Sequence, residues 1–464
     1  MMAQADANPR RNGPGLLERT FGIRAAGSTP GRELRAGVTT FLTMSYILFV
    51  NPDILGLVIT VPHAFEQLLF ATAIASCVGS IMMGLIAGYP FALAPGMGLN
   101  AYFTYSVCMG MHVRWQTALG AVFVEAIIFL LLSFGGVRQA ILAGIPRNIK
   151  YATSAGIGLF LAIIGLENAH IIAPNHATLV TLGNLSSAPA LLCLFGLLVT
   201  SALLVRRFGG AILAGILTTS LLAIATRAPV YAGPKSTLIP FPGLDGGSVV
   251  QWPVWPSGLF LAMDVRGALG MGILGIVFTF LFVEILDTAG TLIGLATKAG
   301  YVDPDGNLPR ASAAFAADAL ATAAGAVFGT STTTAYIESA AGIEEGGRTG
   351  LTAVVVGVLF GLSVFFWPLA KAVPFAATAP ALILVGAMMT ENLPRMNWQD
   401  YSEVIPSFLT MVLMPLTYSI ANGVSFGLIS YVLLKVLAGR WREVHPVTAV
   451  LAVLLVSRYI WLGE

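Results

Sequence analysis

Charge is scarce in this sequence. Asp, Glu, Lys and Arg make up 10% of its 464 residues, against about 25% in soluble domains. Such a chain cannot clothe a water-facing surface, so an ordinary soluble domain is excluded. Cysteine is nearly absent: Cys77, Cys108 and Cys193 lie in apolar runs without metal-ligand spacing. That argues against a disulfide framework, a metal centre or a redox pair, and leaves three small buried hydrophobes. There is no GxxxxGK[ST] loop, which excludes ATP drive from within the chain. There is no HExxH and no Cys/His cluster, so an intramembrane metalloprotease has no ligand set. No nucleophile–base constellation marks an enzyme of any kind, and no cofactor or metal is expected. The G-x-G of "GMGLNA" sits in an apolar run without a βαβ context and is no dinucleotide site. A net charge of +2 points to no nucleic-acid partner. None of His63, His112, His170, His176 and His445 falls centrally in an apolar run.

What is present is long apolar sequence, 56% hydrophobic overall with a mean hydropathy of +0.84. Runs such as "ALLCLFGLLVTSALLV" recur and do not alternate, which predicts an all-α polytopic membrane protein rather than a barrel. Fourteen segments are expected, at 36–58, 66–88, 91–110, 116–136, 149–167, 187–205, 208–226, 265–293, 311–328, 331–344, 349–370, 374–391, 403–418 and 420–437. A fifteenth, "VTAVLAVLLVSRYIWLG", is short, and the reading leaves open whether it lies in the interface or re-enters the membrane. The polar start of the chain carries Arg10, Arg11, Arg19, Arg24 and Arg32 and lacks the pattern of a signal peptide. Those arginines, Arg138/Arg147/Lys150, Arg206/Arg207, Lys298/Arg310, Arg348, Arg395 and Lys435/Arg440/Arg442 fall on one side if the segments cross in order. The opposite loops are poor in Lys and Arg; the long 227–263 stretch has only Arg227 and Lys235. This bias predicts a cytoplasmic N-terminus.

Two segments, "AGYPFALAPGMGLNAYFTYS" (87–106) and "AVFGTSTTTAYIESAAG" (326–342), are rich in Gly, Pro and Thr. Each is expected to be an extended piece followed by a half-helix, since irregular backbone survives in a membrane only where protein or a water-filled cavity satisfies it. Ala101-Tyr102 answers Ala335-Tyr336, and Thr40-Phe41-Leu42 answers Thr279-Phe280-Leu281, at similar offsets of about half the chain. Two halves of seven spans follow. An odd count inverts the second half, and paired broken helices then mark a binding site near the midplane.

Glu338 directly follows the second broken stretch, where free N–H groups and a helix dipole favour a carboxylate and intramembrane acids are usually functional. Glu284 and Asp287 are i and i+3 in "FLFVEILDTAGTLIG" and are expected to share a face and a proton, with Glu284 toward the ligand. Asn100 is a candidate half-helix cap or ligand amide; Gly96 and Gly98 suit close backbone approach. Asp318 reads as a scaffold acid, and Glu125 and Glu167 as weaker candidates.

"FALAPGMGLNAYFTYSV", "FVEILDTAGTLIGLATKAG" and "GTSTTTAYIESAAGIEEGGRTGL" resemble the nucleobase–cation symporter-2 (xanthine/uracil permease) family, most nearly its AzgA-like adenine/guanine/hypoxanthine branch, over roughly residues 17–440. The resemblance implies a 7+7 inverted repeat with a core domain in two halves (35–137 and 264–371) and a gate domain in two halves (138–263 and 372–440). Residues 1–34 are then a cytoplasmic segment and 441–464 an apolar C-terminal segment. It implies substrate between short extended segments of spans 3 and 10, held by Glu284 and Glu338, near Asn100, Ala101, Tyr336 and Ile337. Glu284, Asp287 and Glu338 are then the candidates for proton coupling, since "EILDT" has no histidine where uracil and xanthine relatives do. The expected function is proton-coupled import of purine nucleobases through a cell (inner) membrane, the protein working as a possible homodimer. Uracil or xanthine transport, or an anion channel or carrier on the related fold, is the alternative. An anionic substrate is disfavoured because the candidate site holds no Arg or Lys.

Overall fold

The structure is a computed structural model that describes residues 16–133, 144–175, 177–231, 248–270, 273–302 and 308–461. The expectations that rest on Arg10, Arg11, Arg138, His176 and Lys235 lie outside the described residues.

Ten helices among the described residues are long and apolar enough to cross a bilayer. The chain is therefore a multi-pass membrane protein. The first span is α1 (Pro30–Met44) and α2 (Ile47–Leu55), joined through Ser45 and Tyr46. Thr29 caps α1 by accepting from the Arg32 amide, with Pro30 at the first helical position. Then come α3 (Ala64–Met82), β1 (Leu93–Pro95) with α4 (Met97–Ala101), α5 (Trp115–Ser133), α6 (Arg147–Asn168), α7 (Ala188–Val205) and α8 (Ala211–Ala225). The second half runs α9 (Leu274–Ala299), α10 (Ala311–Phe328), β2 (Thr333–Ala335) with α11 (Ser339–Glu344), α12 (Gly350–Ser363), α13 (Phe375–Met388), α14 (Tyr401–Leu416) and α15 (Ile420–Leu437).

Every expected apolar segment overlaps one of these elements among the described residues; the first begins earlier than expected, at Pro30 rather than 36, and one other changes its boundary. The segment expected from residue 265 begins as a helix only at Leu274. Asp264 caps a separate short turn, Val265–Ala268, by accepting from the Gly267 amide, so these residues form their own element ahead of α9. Between α6 and α7 lies a hairpin of Ile172–Asn175 with Leu179–Leu182 that the apolar pattern does not reveal, because its second strand is exposed throughout. The fifteenth segment is a helix, α16 (Pro446–Trp461), that packs on α15 through buried Leu451, Ala452 and Leu455. At 16 residues it is about 24 Å long.

The helices pack most closely in two groups. One is α1, α3, α5, α9, α10 and α12; the other is α6, α7, α8, α13, α14 and α15. Within the second group α6 crosses α13 at backbone contact: a Cβ on Gly158 would meet the Gly386 carbonyl oxygen at 2.4 Å. Lys435, 1% exposed at the end of α15, is neutralised by Glu403 at 3.0 Å and Glu443 at 2.8 Å. The two broken segments and α9 lie where the groups meet.

Candidate functional site

β1 and β2 pair antiparallel, Leu93 with Ala335, Ala94 with Thr334 and Pro95 with Thr333. This two-stranded sheet of one strand from each half displays an inverted pseudo-two-fold directly. The surrounding hydroxyls satisfy the extended backbone symmetrically. Ser80 on α3 exchanges hydrogen bonds with Leu93, accepting from its amide at 3.0 Å and donating to its carbonyl at 3.1 Å. Thr322 on α10 does the same for Thr333, at 3.0 Å each way. The Ser339 hydroxyl accepts from the Ala92 amide at 3.0 Å. Thr330, Ser331, Thr332 and Thr333 are all fully buried. The hydroxyl-rich run is the means of keeping strand backbone inside a bilayer.

The strands begin at Leu93 and Thr333. That offset agrees with the Thr40/Thr279 match and not with Ala101-Tyr102 against Ala335-Tyr336. The latter pair is off register: Ala101 ends a helical turn, whereas Ala335 ends a strand.

A cavity of about 770 Å³, counting the part open to solvent, lies against this sheet. Four parts wall it: Gly96 to Leu99 with Thr334 to Glu338 from the broken segments, Val283, Asp287 and Thr291 from α9, Tyr46 from the first span, and Ser154, Ile157, Val385 and Met389 from α6, α13 and the residue that follows α13. Its mouth is marked by exposed Glu391 and by Met388 at the C-terminal end of α13. Asp287 and Glu338 stand in the wall, with Glu391 at the mouth, and among the described residues no Lys, Arg or His lines it. Glu338 is 8% exposed and accepts a 2.7 Å hydrogen bond on Oε1 from the Tyr46 hydroxyl. Asp287 accepts from the Thr334 hydroxyl at 3.5 Å. Tyr336, on the wall between them, is anchored by donating its hydroxyl to the Pro95 carbonyl at 2.5 Å. The glycines allow close approach: a Cβ on Gly98 would lie 2.4 Å from Ile157 Cγ2, so only glycine fits between the broken segment and α6.

The expected site residues divide. Glu338, Ile337 and Asp287 line the cavity; Glu284, Asn100 and Ala101 do not. The reason for Glu284 is helical phase. Val283, Asp287 and Thr291 are spaced four apart and look into the cavity, while Glu284 and Thr288 form the adjacent face toward α10. There Glu284 accepts from Thr322 at 2.9 Å, and Thr288 donates to Asp318 at 2.6 Å. The shared face expected for Glu284 and Asp287 is thus not found, and Asp287 is the member toward the cavity. Asn100 does not cap its half-helix, because Gly96 is the cap residue. Its Oδ1 accepts from Ser331 at 2.5 Å, tying the two broken segments together behind the wall, and Ala101 is wholly buried beside it. Glu167 lies elsewhere, accepting from the Tyr418 hydroxyl. Sequence reasoning missed Tyr46, an uncharged residue just beyond the Thr40-Phe41-Leu42 match, and the wall from α6 and α13.

The sequence model of the xanthine/uracil permeases, described as Permease family, matches residues 31–426. The guanine/hypoxanthine permease PbuG of Bacillus subtilis is 44% identical over 449 residues, covering 95% of this chain and 99% of its own. The adenine permease AdeP of Escherichia coli is 42% identical over 451 residues, 97% of each. Among solved structures, the transmembrane domain of a cyanobacterium bicarbonate transporter, BicA, superposes with a TM-score of 0.63 at 14% identity, over 84% of this chain and 96% of that one. That likeness is one of fold.

Proposed function

The chain belongs to the xanthine/uracil permease family, and from that premise we propose that it is a proton-coupled transporter of purine nucleobases working by alternating access. It is then a carrier and not an enzyme. The observation that carries the reading is the pair of carboxylates, Asp287 and Glu338, in a cavity with no Lys, Arg or His in its wall among the described residues. A purine presents N–H donors along its edge and flat apolar faces. Carboxylates accept those donors, and Ile157, Val385 and Met389 offer apolar surface to the ring. The same wall repels an anion, so the bicarbonate named for the fold neighbour does not transfer to this chain.

In this reading Asp287 and Glu338 hold the base, with Ile337 and the backbone of the broken segments beside it. Asn100 and Ala101 support them from behind, and Glu284 serves the proton rather than the base. The group of α1, α3, α5, α9, α10 and α12 is the moving core, and the group of α6 to α8 and α13 to α15 is the gate. The mouth lies at the end of the molecule that carries Arg147, Lys150 and Arg395. By the positive-inside bias this end faces the cytoplasm of a cell membrane, and the cavity is then inward-open. Competition decides the substrate. Uptake of labelled hypoxanthine into cells expressing the protein is expected to be blocked by unlabelled adenine, guanine or hypoxanthine, and not by bicarbonate, and to collapse with a protonophore. Competition by uracil or xanthine alone, or uptake indifferent to the protonophore, would reject the reading.

A further inference from the structure

Behind the cavity wall three acids from three helices converge, each fully buried: Glu125 on α5, Glu284 on α9 and Asp318 on α10. Among the described residues no Lys, Arg or His forms a salt bridge with Glu125 or Glu284. Neither oxygen of Glu125 has a hydroxyl or N–H donor, and Glu284 Oε2 has none either. The two carboxyl groups stand within hydrogen-bonding reach of each other, with Asp318 and, more distantly, Asp287 as the other acids facing them. Two carboxyl groups hydrogen-bond only when one carries a proton. Two bare anions here would face the cost of burial with a single hydroxyl hydrogen bond, Thr322 to Glu284 at 2.9 Å, to offset it. A row of oxygen contacts leads from Asp318, the third acid of the group, to the cavity: Asp318 Oδ2 to Thr288 Oγ1 at 2.6 Å, Thr288 Oγ1 to Thr334 Oγ1 at 3.1 Å, and Thr334 Oγ1 to Asp287 Oδ2 at 3.5 Å.

We propose that Glu125 and Glu284 form a proton-sharing carboxyl pair that stores the coupled proton, and that Asp318, Thr288 and Thr334 relay it to Asp287 on the cavity wall. The pair cycles between two protons and one. On release an O–H bond of the pair breaks and one forms on the Asp318 carboxylate. The Thr288 hydroxyl, which donates to Asp318 at rest, turns toward Thr334 and accepts from Asp318, each hydroxyl passes a proton on as it receives one, and an O–H bond forms on the Asp287 carboxylate. The proton left behind bridges Glu125 and Glu284 and spreads the remaining charge over both. Glu125 touches no part of the cavity, so it acts on transport only through the proton. The identity of the driven solute rests on the reading above; the existence of the pair does not.

Glu125→Gln keeps the shape and cannot exchange a proton. In proteoliposomes, wild-type protein is expected to accumulate labelled hypoxanthine under an inward-directed proton gradient and to exchange it for unlabelled hypoxanthine at equal pH. In Glu125→Gln, gradient-driven accumulation is expected to fall roughly tenfold or more, with equal-pH exchange within about twofold of wild type. Glu125→Asp is expected to recover much of the accumulation, and Thr288→Val to reproduce its loss. Normal accumulation in Glu125→Gln, or equal loss of accumulation and exchange, would overturn the proposal. A second readout needs no solute: the infrared difference spectrum of wild type minus Glu125→Gln at neutral pH is expected to show the C=O stretch of a protonated carboxyl. Its absence overturns the pair even if purine transport holds. Its presence in a protein that moves no purine sustains the pair and rejects the purine reading.

Discussion

Glu338 keeps one carboxylate oxygen on Tyr46, which is fully buried on the first span. That hydrogen bond orients the acid without neutralising it, leaving charge for a donor edge in the cavity. Two substitutions separate these roles. Glu338→Gln replaces an acceptor-only group by one that also presents two N–H donors, and those oppose the N–H groups of a purine. Uptake of labelled hypoxanthine is expected to drop at least about tenfold at unchanged membrane expression. Tyr46→Phe removes only the orienting bond, worth about 1–2 kcal/mol, so apparent affinity is expected to weaken roughly 5- to 30-fold with the maximal rate largely kept. A fall in maximal rate with unchanged affinity would show that Tyr46 serves movement instead. The two residues differ in how readable they are. An acid beside a Gly/Thr-rich break in an apolar chain announces itself by its cost. One tyrosine in an apolar span carries no such cost, and only the folded chain brings residue 46 to residue 338.

At the scale of the element, the broken segments are the most legible feature of the chain. Glycine, proline and clustered threonine mean that these stretches cannot be plain helices, and the membrane dictates that their backbone be satisfied internally. What composition does not convey is the partner. Ser80 and Thr322 are single hydroxyls on neighbouring helices, and the register of Leu93 with Ala335 is set by tertiary approach. Helical phase is the other loss. Glu284 and Asp287 look equivalent at i and i+3, and only the packing of α9 against both α10 and the cavity assigns them different faces. A close element contact at the cavity wall is testable. Gly98→Ala places a methyl group 2.4 Å from Ile157 Cγ2, against a stiff β-branched side chain. An overpacking cost of about 1–3 kcal/mol is expected, read as a lower Tm of purified protein and weaker uptake. Ile157→Ala in the same chain is expected to restore most of both. A double variant no better than Gly98→Ala alone would mean that the glycine is needed for something other than this clearance.

For the whole molecule, α13 serves as a ruler between an open and a closed end. Met388, near its C-terminus, stands at the cavity mouth, and Thr378, about 15 Å back along the helix, donates to Asp53 on α2 at 3.2 Å. At that closed end the Ser106 hydroxyl, beyond α4, donates to the Tyr418 carbonyl between α14 and α15. The Tyr418 ring lies 6.3 Å from Tyr105 and 5.8 Å from Phe160, and its hydroxyl donates to Glu167 at 2.6 Å. Few polar contacts and two ring contacts thus close one face while the other stays open, the arrangement expected of a carrier poised between two states of similar energy. If alternating access requires this face to part, tying it shut stops the cycle without touching the site. Cysteines at 106 and 418, introduced after replacing Cys77, Cys108 and Cys193, can be joined by a short bifunctional thiol reagent. Bridged protein is expected to lose net hypoxanthine uptake by roughly tenfold or more and yet bind hypoxanthine in detergent within about twofold of the unbridged form, because the mouth lies at the other end. Bridged protein that still transports would show that the Tyr418 face does not open, and that the two helix groups part along another seam.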